Sequence, residues 1–205
     1  LYSGVNNEEC NKLKKILFVN ACVRPDSRTY RIAKELLNKL NGTVEEVNLS
    51  NENIQPLNWE SLQKRDEYIS LGDFSSPIFK YAKQFADADE IVIAAPYWDL
   101  SFPSIVKIYL EAITVTGITF KYTSEGIPVG LCKAKRIFYV TTAGGAIGNS
   151  NWGLEYIKSL AENFYGIDQT IYFKAENLDI IGNDPDEIVG REIDRIRSID
   201  VNNIK

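Results

Sequence analysis

Lys14-Lys15-Ile16-Leu17-Phe18-Val19-Asn20-Ala21-Cys22-Val23-Arg24-Pro25-Asp26-Ser27-Arg28-Thr29 is the stretch on which the fold turns. Its apolar run, residues 16–19, lies between a lysine pair and Asn20, as expected of a strand buried on both faces in a parallel sheet. A polar loop follows. Ile32, Leu36, Leu37 and Leu40 then recur at helical spacing. Strand, loop and helix in that order open a βαβ unit.

The same alternation continues along the chain. Ile91-Val92-Ile93-Ala94-Ala95 and Ile137-Phe138-Tyr139-Val140 are further apolar runs, and Thr170-Ile171-Tyr172-Phe173 is more alternating. A weaker strand, 44–49, follows the turn signal Asn41-Gly42. Helical stripes separate these runs. Ile78, Ala82, Phe85 and Ala86 stand behind Ser76-Pro77, and Val106, Tyr109, Leu110 and Ile113 behind Pro103. Tyr156, Leu160 and Phe164 form another stripe, and Val189, Ile193 and Ile196 stand behind Asp184-Pro185-Asp186-Glu187, a capping-box-like start. No repeat, low-complexity tract or linker interrupts the pattern. It implies an α/β three-layer sandwich on one five-stranded parallel sheet, for which the flavodoxin-like order 2-1-3-4-5 is favoured. Residues 1–13 read as a polar N-terminal extension and 14–205 as a single domain.

Composition narrows the chemistry. The 205 residues include no histidine, which removes the Ser-His-Asp triad, the Cys-His dyad, His-rich zinc sites and any histidine base. No metal site is expected. Lysine and arginine total 23 against 28 aspartates and glutamates, a net charge of −5 that argues against nucleic-acid binding. No run of about 18 apolar residues suggests a membrane span, and residues 1–12 lack the apolar core of a signal peptide. Cys10, Cys22 and Cys132 are odd in number and widely spaced, as free thiols of a cytoplasmic protein would be.

Open parallel sheets bind ligands at the carboxyl ends of the strands beside the switch in strand order. The segments after the first, third and fourth of the main strands are therefore the ones to inspect. The first carries Ser27 and Thr29, whose hydroxyls suit a phosphate at a helix start, with Arg24, Arg28 and Arg31 crowding the same end. It has no glycine, so neither GxGxxG nor a P-loop is present. The alternative is an ordinary Asp26 or Ser27 cap with solvated arginines. The second segment, Ala95-Pro96-Tyr97-Trp98-Asp99-Leu100-Ser101-Phe102-Pro103, offers two large aromatics for a flat ring, or for packing under the next helix. The third, Thr141-Thr142-Ala143-Gly144-Gly145-Ala146, allows close backbone approach, or makes a plain turn.

With these segments in place, the chain resembles the FMN-dependent NADH-azoreductases and related NAD(P)H:quinone reductases of flavodoxin-like fold. The resemblance covers roughly residues 14–196. It rests on Ala95-Pro96-Tyr97-Trp98-Asp99-Leu100, Thr116-Gly117-Ile118-Thr119-Phe120-Lys121-Tyr122 and Thr142-Ala143-Gly144-Gly145, and nothing in helix or strand periodicity calls for the middle segment. The likeness implies that Ser27, Arg28 and Thr29 hold the FMN phosphate, and that Pro96, Tyr97, Trp98, Asp99 and Leu100 line the isoalloxazine. It further implies that Thr142, Ala143, Gly144 and Gly145 close over the ring's other polar edge. Phe120 and Tyr122 would contribute to a substrate pocket at a homodimer interface, with apolar helices near 103–114 and 152–164 forming the contact. The implied activity is ping-pong hydride transfer from NADH or NADPH to a quinone, azo compound or similar small acceptor, with no side chain needed as an acid or base in the first half-reaction. Two departures stand out. Relatives commonly carry Asn at the position of Asp99 and Ser-Arg at Thr142-Ala143, and a carboxylate near the flavin should disfavour an anionic reduced ring.

Two rival readings compete. Cys22 followed five residues later by Arg28-Thr29 matches the C-x5-R-[ST] loop of low-molecular-weight tyrosine phosphatases, with Asp184-Pro185 as a candidate general acid. Pro25 removes a donor from that cradle, however, and Asp26 adds a repelling charge. The other rival is a flavodoxin-type electron carrier without enzymatic activity.

Overall fold

The computed structural model describes residues 13–149 and 151–204. The proposed N-terminal extension and Cys10 therefore lie almost wholly outside the described residues. The elements run β1 (Lys14–Asn20), α1 (Arg28–Lys39), β2 (Gly42–Asn48), α2 (Trp59–Ser70), α3 (Lys80–Asp87), β3 (Glu90–Ala94), α4 (Ser104–Ile113), β4 (Phe120–Tyr122), β5 (Pro128–Gly130), β6 (Arg136–Thr142), α5 (Trp152–Leu160), β7 (Gln169–Ala175) and α6 (Pro185–Ser198). The main sheet is wholly parallel, in the order β2-β1-β3-β6-β7. This is the expected 2-1-3-4-5 topology, renumbered because a short antiparallel pair, β4-β5, intervenes.

Period-two alternation feeds two cores, one on each face of the sheet. Ile16, Phe18, Val92, Ala94, Phe138 and Val140 face α1 and α6, where Ile32, Ala33, Leu36, Val189 and Ile196 meet them. Leu17, Val19, Ile91, Ile93, Ile137 and Tyr139 face the other way, towards Phe85 of α3, Val106, Tyr109 and Leu110 of α4, and Ile157 of α5. The central strands therefore read as continuous apolar runs, whereas β2, at one edge, exposes residues 43–46. Among the described residues no helix is long and apolar enough to cross a membrane.

The structure adds elements that the periodicity does not announce. Helix α2 has no fully buried residue: Asn58 and Ser61 form a reciprocal capping box at its start, and Tyr68 and Ile69 pack part-buried against Phe79. The α5 stripe ends in a π-helical turn, Ala161–Tyr165. The β4-β5 hairpin packs against that turn: a methyl group on Gly130 would overlap the backbone of Tyr165 and Gly166.

The 116–122 segment does have a physical cause, contrary to the expectation that fold physics makes no demand on it. The Thr119 hydroxyl is fully buried, donating to the Ile113 carbonyl at 2.8 Å and accepting from the Val115 N–H at 3.0 Å. It turns the chain from α4 into the hairpin, and Phe120 packs edge-on against Phe164 and Tyr122.

Candidate functional site

A cleft of about 270 Å³ opens at the carboxyl ends of β1, β3 and β6. Its lining includes Ser27, Arg28 and Thr29 from the start of α1, Pro96, Tyr97 and Trp98 after β3, and Thr142, Ala143 and Gly144 at the end of β6. All three expected segments thus meet in one place, beside the switch in strand order. A second concavity, of about 380 Å³, lies at the opposite end of the strands among Lys15, Glu45, Lys83 and Asp87. Parallel sheets do not hold their ligands at that end.

Backbone bonds fix the walls. The Tyr97 N–H donates to the Thr142 carbonyl at 2.9 Å, joining the second segment to the third. Trp98 and Ser101 exchange N–H···O bonds of 2.9 and 2.8 Å around Asp99 and Leu100, whose φ values are +50° and +66°. This is a tight two-residue turn with both central residues left-handed, a conformation that Gly or Asn adopts at lower cost. Asp99 and Leu100 consequently sit exposed at the rim, outside the lining, and Gly145 is exposed beyond Gly144. Phe120 is buried and Tyr122 exposed on the hairpin, and neither lines the cleft.

At the start of α1 the Ser27 hydroxyl accepts from the Tyr30 N–H at 3.3 Å, leaving the Arg28 and Thr29 N–H groups without intrahelical partners. Thr29 and Thr142 share a buried hydroxyl–hydroxyl bond of 2.6 Å that joins helix start to sheet end. One hydroxyl hydrogen is used in that bond and the other remains for a ligand. The arginine cluster is only partly free. Arg28 pairs with Asp179 at 2.8 Å and Arg31 with Asp186 at 2.5 Å, while Arg24 lines the cleft.

Leu178 and Asp179 also line the cleft, and sequence reasoning missed both. They follow β7, a strand end that the switch-point argument leaves aside. The 177–179 stretch is nevertheless tied to the β6 loop, with the N–H groups of Asn177, Leu178 and Asp179 donating to the carbonyls of Gly145, Ala143 and Gly144. The only sequence signal is indirect: an Asn-Leu-Asp loop directly after a strand beside β6.

The structure gives the phosphatase alternative no support. Cys22 is buried and its thiol lies 3.9 Å from the Ala94 carbonyl. Burial, partly offset by a Ser27 hydrogen bond, pushes the thiol up to about 11, so no thiolate nucleophile is poised at neutral pH.

A phosphate-sized group fits the hydroxyls, free N–H groups and arginines at one end of the cleft, and a flat ring fits Tyr97, Trp98 and the glycine-bearing wall at the other. Fold and cleft together define a flavodoxin-like α/β protein with a cleft at the carboxyl ends of its strands. The model of the flavodoxin-like fold family matches residues 14–199. The chain is 36% identical over 196 residues to an FMN-dependent NADH:quinone oxidoreductase of Clostridium perfringens, covering 91% of this chain and 98% of that protein. It is 35% identical over 197 residues to FMN-dependent NADH:quinone oxidoreductase 2 of Clostridium acetobutylicum, covering 90% and 97%. An azoreductase structure from Bacillus anthracis strain Sterne shares the fold, with a TM-score of 0.77, 24% identity and coverage of 90% of this chain and 97% of that one. An FMN-dependent NADH-azoreductase from Bacillus anthracis, solved in complex with FMN, shares it at a TM-score of 0.74 and 24% identity, covering 90% and 96%. The chain belongs to the flavodoxin-like family that contains the FMN-dependent NADH:quinone oxidoreductases.

Proposed function

We propose that this protein is an FMN-dependent NADH:quinone oxidoreductase that takes electrons from NADH or NADPH and passes them to a quinone, azo compound or similar small acceptor. One observation carries the reading: a single cleft joins a hydroxyl-, N–H- and arginine-bearing helix start to an aromatic loop, in a chain whose relatives bear that name. FMN, when bound, supplies the hydride chemistry. Arg24, Arg28 and the free N–H groups of α1 would hold its phosphate, with Ser27 and Thr29 shaping the pocket around it. Tyr97 and Trp98 would pack along the ring, and Thr142, Ala143, Gly144 and Gly145 would meet its polar edge.

No histidine is present, so a proton delivered to the acceptor comes from water, a tyrosine or the cofactor. A homodimer completes the reading. Trp98, Leu100, Trp152 and Tyr156 are large apolar side chains exposed near the cleft, and the Trp152 N–H donates to the Leu100 carbonyl, so part of this patch is continuous. Across that interface Phe120, Tyr122 and their hairpin, together with Asp99 and Leu100 at the rim, would border the acceptor pocket. The buried thiols Cys22 and Cys132 and the net charge of −5 suit a cytoplasmic setting. The test is anaerobic reduction of the flavin-loaded protein by NADH. Flavin that stays oxidised would leave an electron carrier as the better description.

A further inference from the structure

Asp179 brings a negative charge to the end of the cleft where a phosphate would sit. Its carboxylate pairs with Arg28 at 2.8 Å, both side chains line the cleft, and both remain partly exposed. The loop holding it is fixed, because the Asp179 N–H donates to the Gly144 carbonyl at 2.8 Å and the Leu178 N–H to the Ala143 carbonyl at 3.2 Å. The carboxylate also lies directly over Gly144, where a methyl group would overlap it. The cleft wall is thus shaped to admit this side chain, and the side chain occupies the cation that an incoming anion needs.

A phosphate arriving at the α1 start must share Arg28 with Asp179 or displace it, and it meets the carboxylate's repulsion while doing so. We propose that Asp179 is a specificity-determining residue that holds Arg28 in place of the cofactor phosphate and so reduces the preference of the cleft for phosphorylated over unphosphorylated flavin. The inference rests on the flavin-binding reading above. A ligand with a hydroxyl in place of the phosphate competes for no ion pair and feels no comparable repulsion, so its affinity is insensitive to Asp179. The effect is electrostatic at a partly exposed site, so salt screens it.

The experiment titrates the flavin-free full-length protein with FMN and with riboflavin, following flavin fluorescence, for the wild type, Asp179→Asn and Asp186→Asn. Asp186, at the start of α6, pairs with Arg31 of α1 but does not line the cleft, and so reports the effect of removing one negative charge nearby. Asp179→Asn is expected to tighten FMN binding about three- to tenfold at low salt, leave riboflavin within about twofold, and lose its advantage near 1 M salt, where the screening length is about 3 Å. Asp186→Asn should shift the FMN-to-riboflavin ratio less than Asp179→Asn does. If Asp179→Asn weakens FMN, leaves the ratio unchanged, or shifts it no more than Asp186→Asn does, the inference is overturned while the flavin reading stands. A wild type that binds neither flavin overturns both.

Discussion

Thr29 shows how much of a site can hang on one small side chain. Its hydroxyl meets that of Thr142 at 2.6 Å in a buried contact, so the residue joins the helix start to the end of β6 and cannot be a freely rotating phosphate ligand. Ser27 has a separate task, capping the helix through the Tyr30 N–H. Replacing both with alanine should therefore do two things. It should weaken FMN retention by roughly tenfold, about 1.4 kcal/mol, and cost about 1–2 kcal/mol of stability through the lost cap and the orphaned Thr142 hydroxyl. Fluorescence titration and thermal melts measure the two separately, and unchanged FMN affinity would show that neither hydroxyl shapes the phosphate pocket. The hydroxyls and aromatics of this cleft are legible in the sequence, because residue type and position after a strand name them. Asp179 is not legible, because its importance arises from an ion pair 151 residues away in the chain.

At the level of elements, strands and helices with an apolar face can be read directly, and those without one cannot. Helix α2 buries no residue fully and presents only a weak stripe, Tyr68 and Ile69 packing part-buried against Phe79, while Asn58 and Ser61 at its start stabilise it locally. Strands β4 and β5 are three residues each, too short for a period to register. The most consequential local feature is the turn at Asp99 and Leu100. Two consecutive non-glycine residues at positive φ cost of order 1–3 kcal/mol each, and the turn persists because the Trp98–Ser101 pair and the Trp152 N–H hold it. Leu100→Gly should raise stability by up to about 1 kcal/mol, since the lost leucine is more than half exposed and the strain is relieved. A raised melting temperature checks this, and a lowered one would mean that Leu100 packing outweighs the backbone term.

For the whole molecule, the absence of histidine has a measurable consequence. Asp73, hydrogen-bonded by the Ser75 hydroxyl, Asp186, bonded by Arg31, and Asp200, bonded by Asn203, all lie below the ordinary carboxylate value. The unfolded chain takes up these protons first, so their contribution is complete above about pH 4–5 and lost below it. At the alkaline end the sign reverses. Burial raises Cys22 to about 11, Cys132 to about 12 and Tyr172 to about 12, so the unfolded chain gives up these protons first. Their contribution is complete below about pH 8–9 and disappears as the pH rises through the folded values. Between these limits no histidine titrates, and melting temperature should be flat from about pH 5.5 to 8. A slope there would point to an unrecognised shifted group.

The same absence of histidine is compatible with flavin chemistry, because a cofactor that carries the hydride leaves no step that requires an imidazole. The most direct test is the visible spectrum of the FMN-loaded protein under anaerobic conditions during stepwise addition of NADH. The expected result is an oxidised-flavin spectrum with one FMN per chain, bleached by about one equivalent of NADH and restored by a quinone. A protein that takes up no FMN, or whose bound flavin stays oxidised with excess NADH and NADPH, would contradict it.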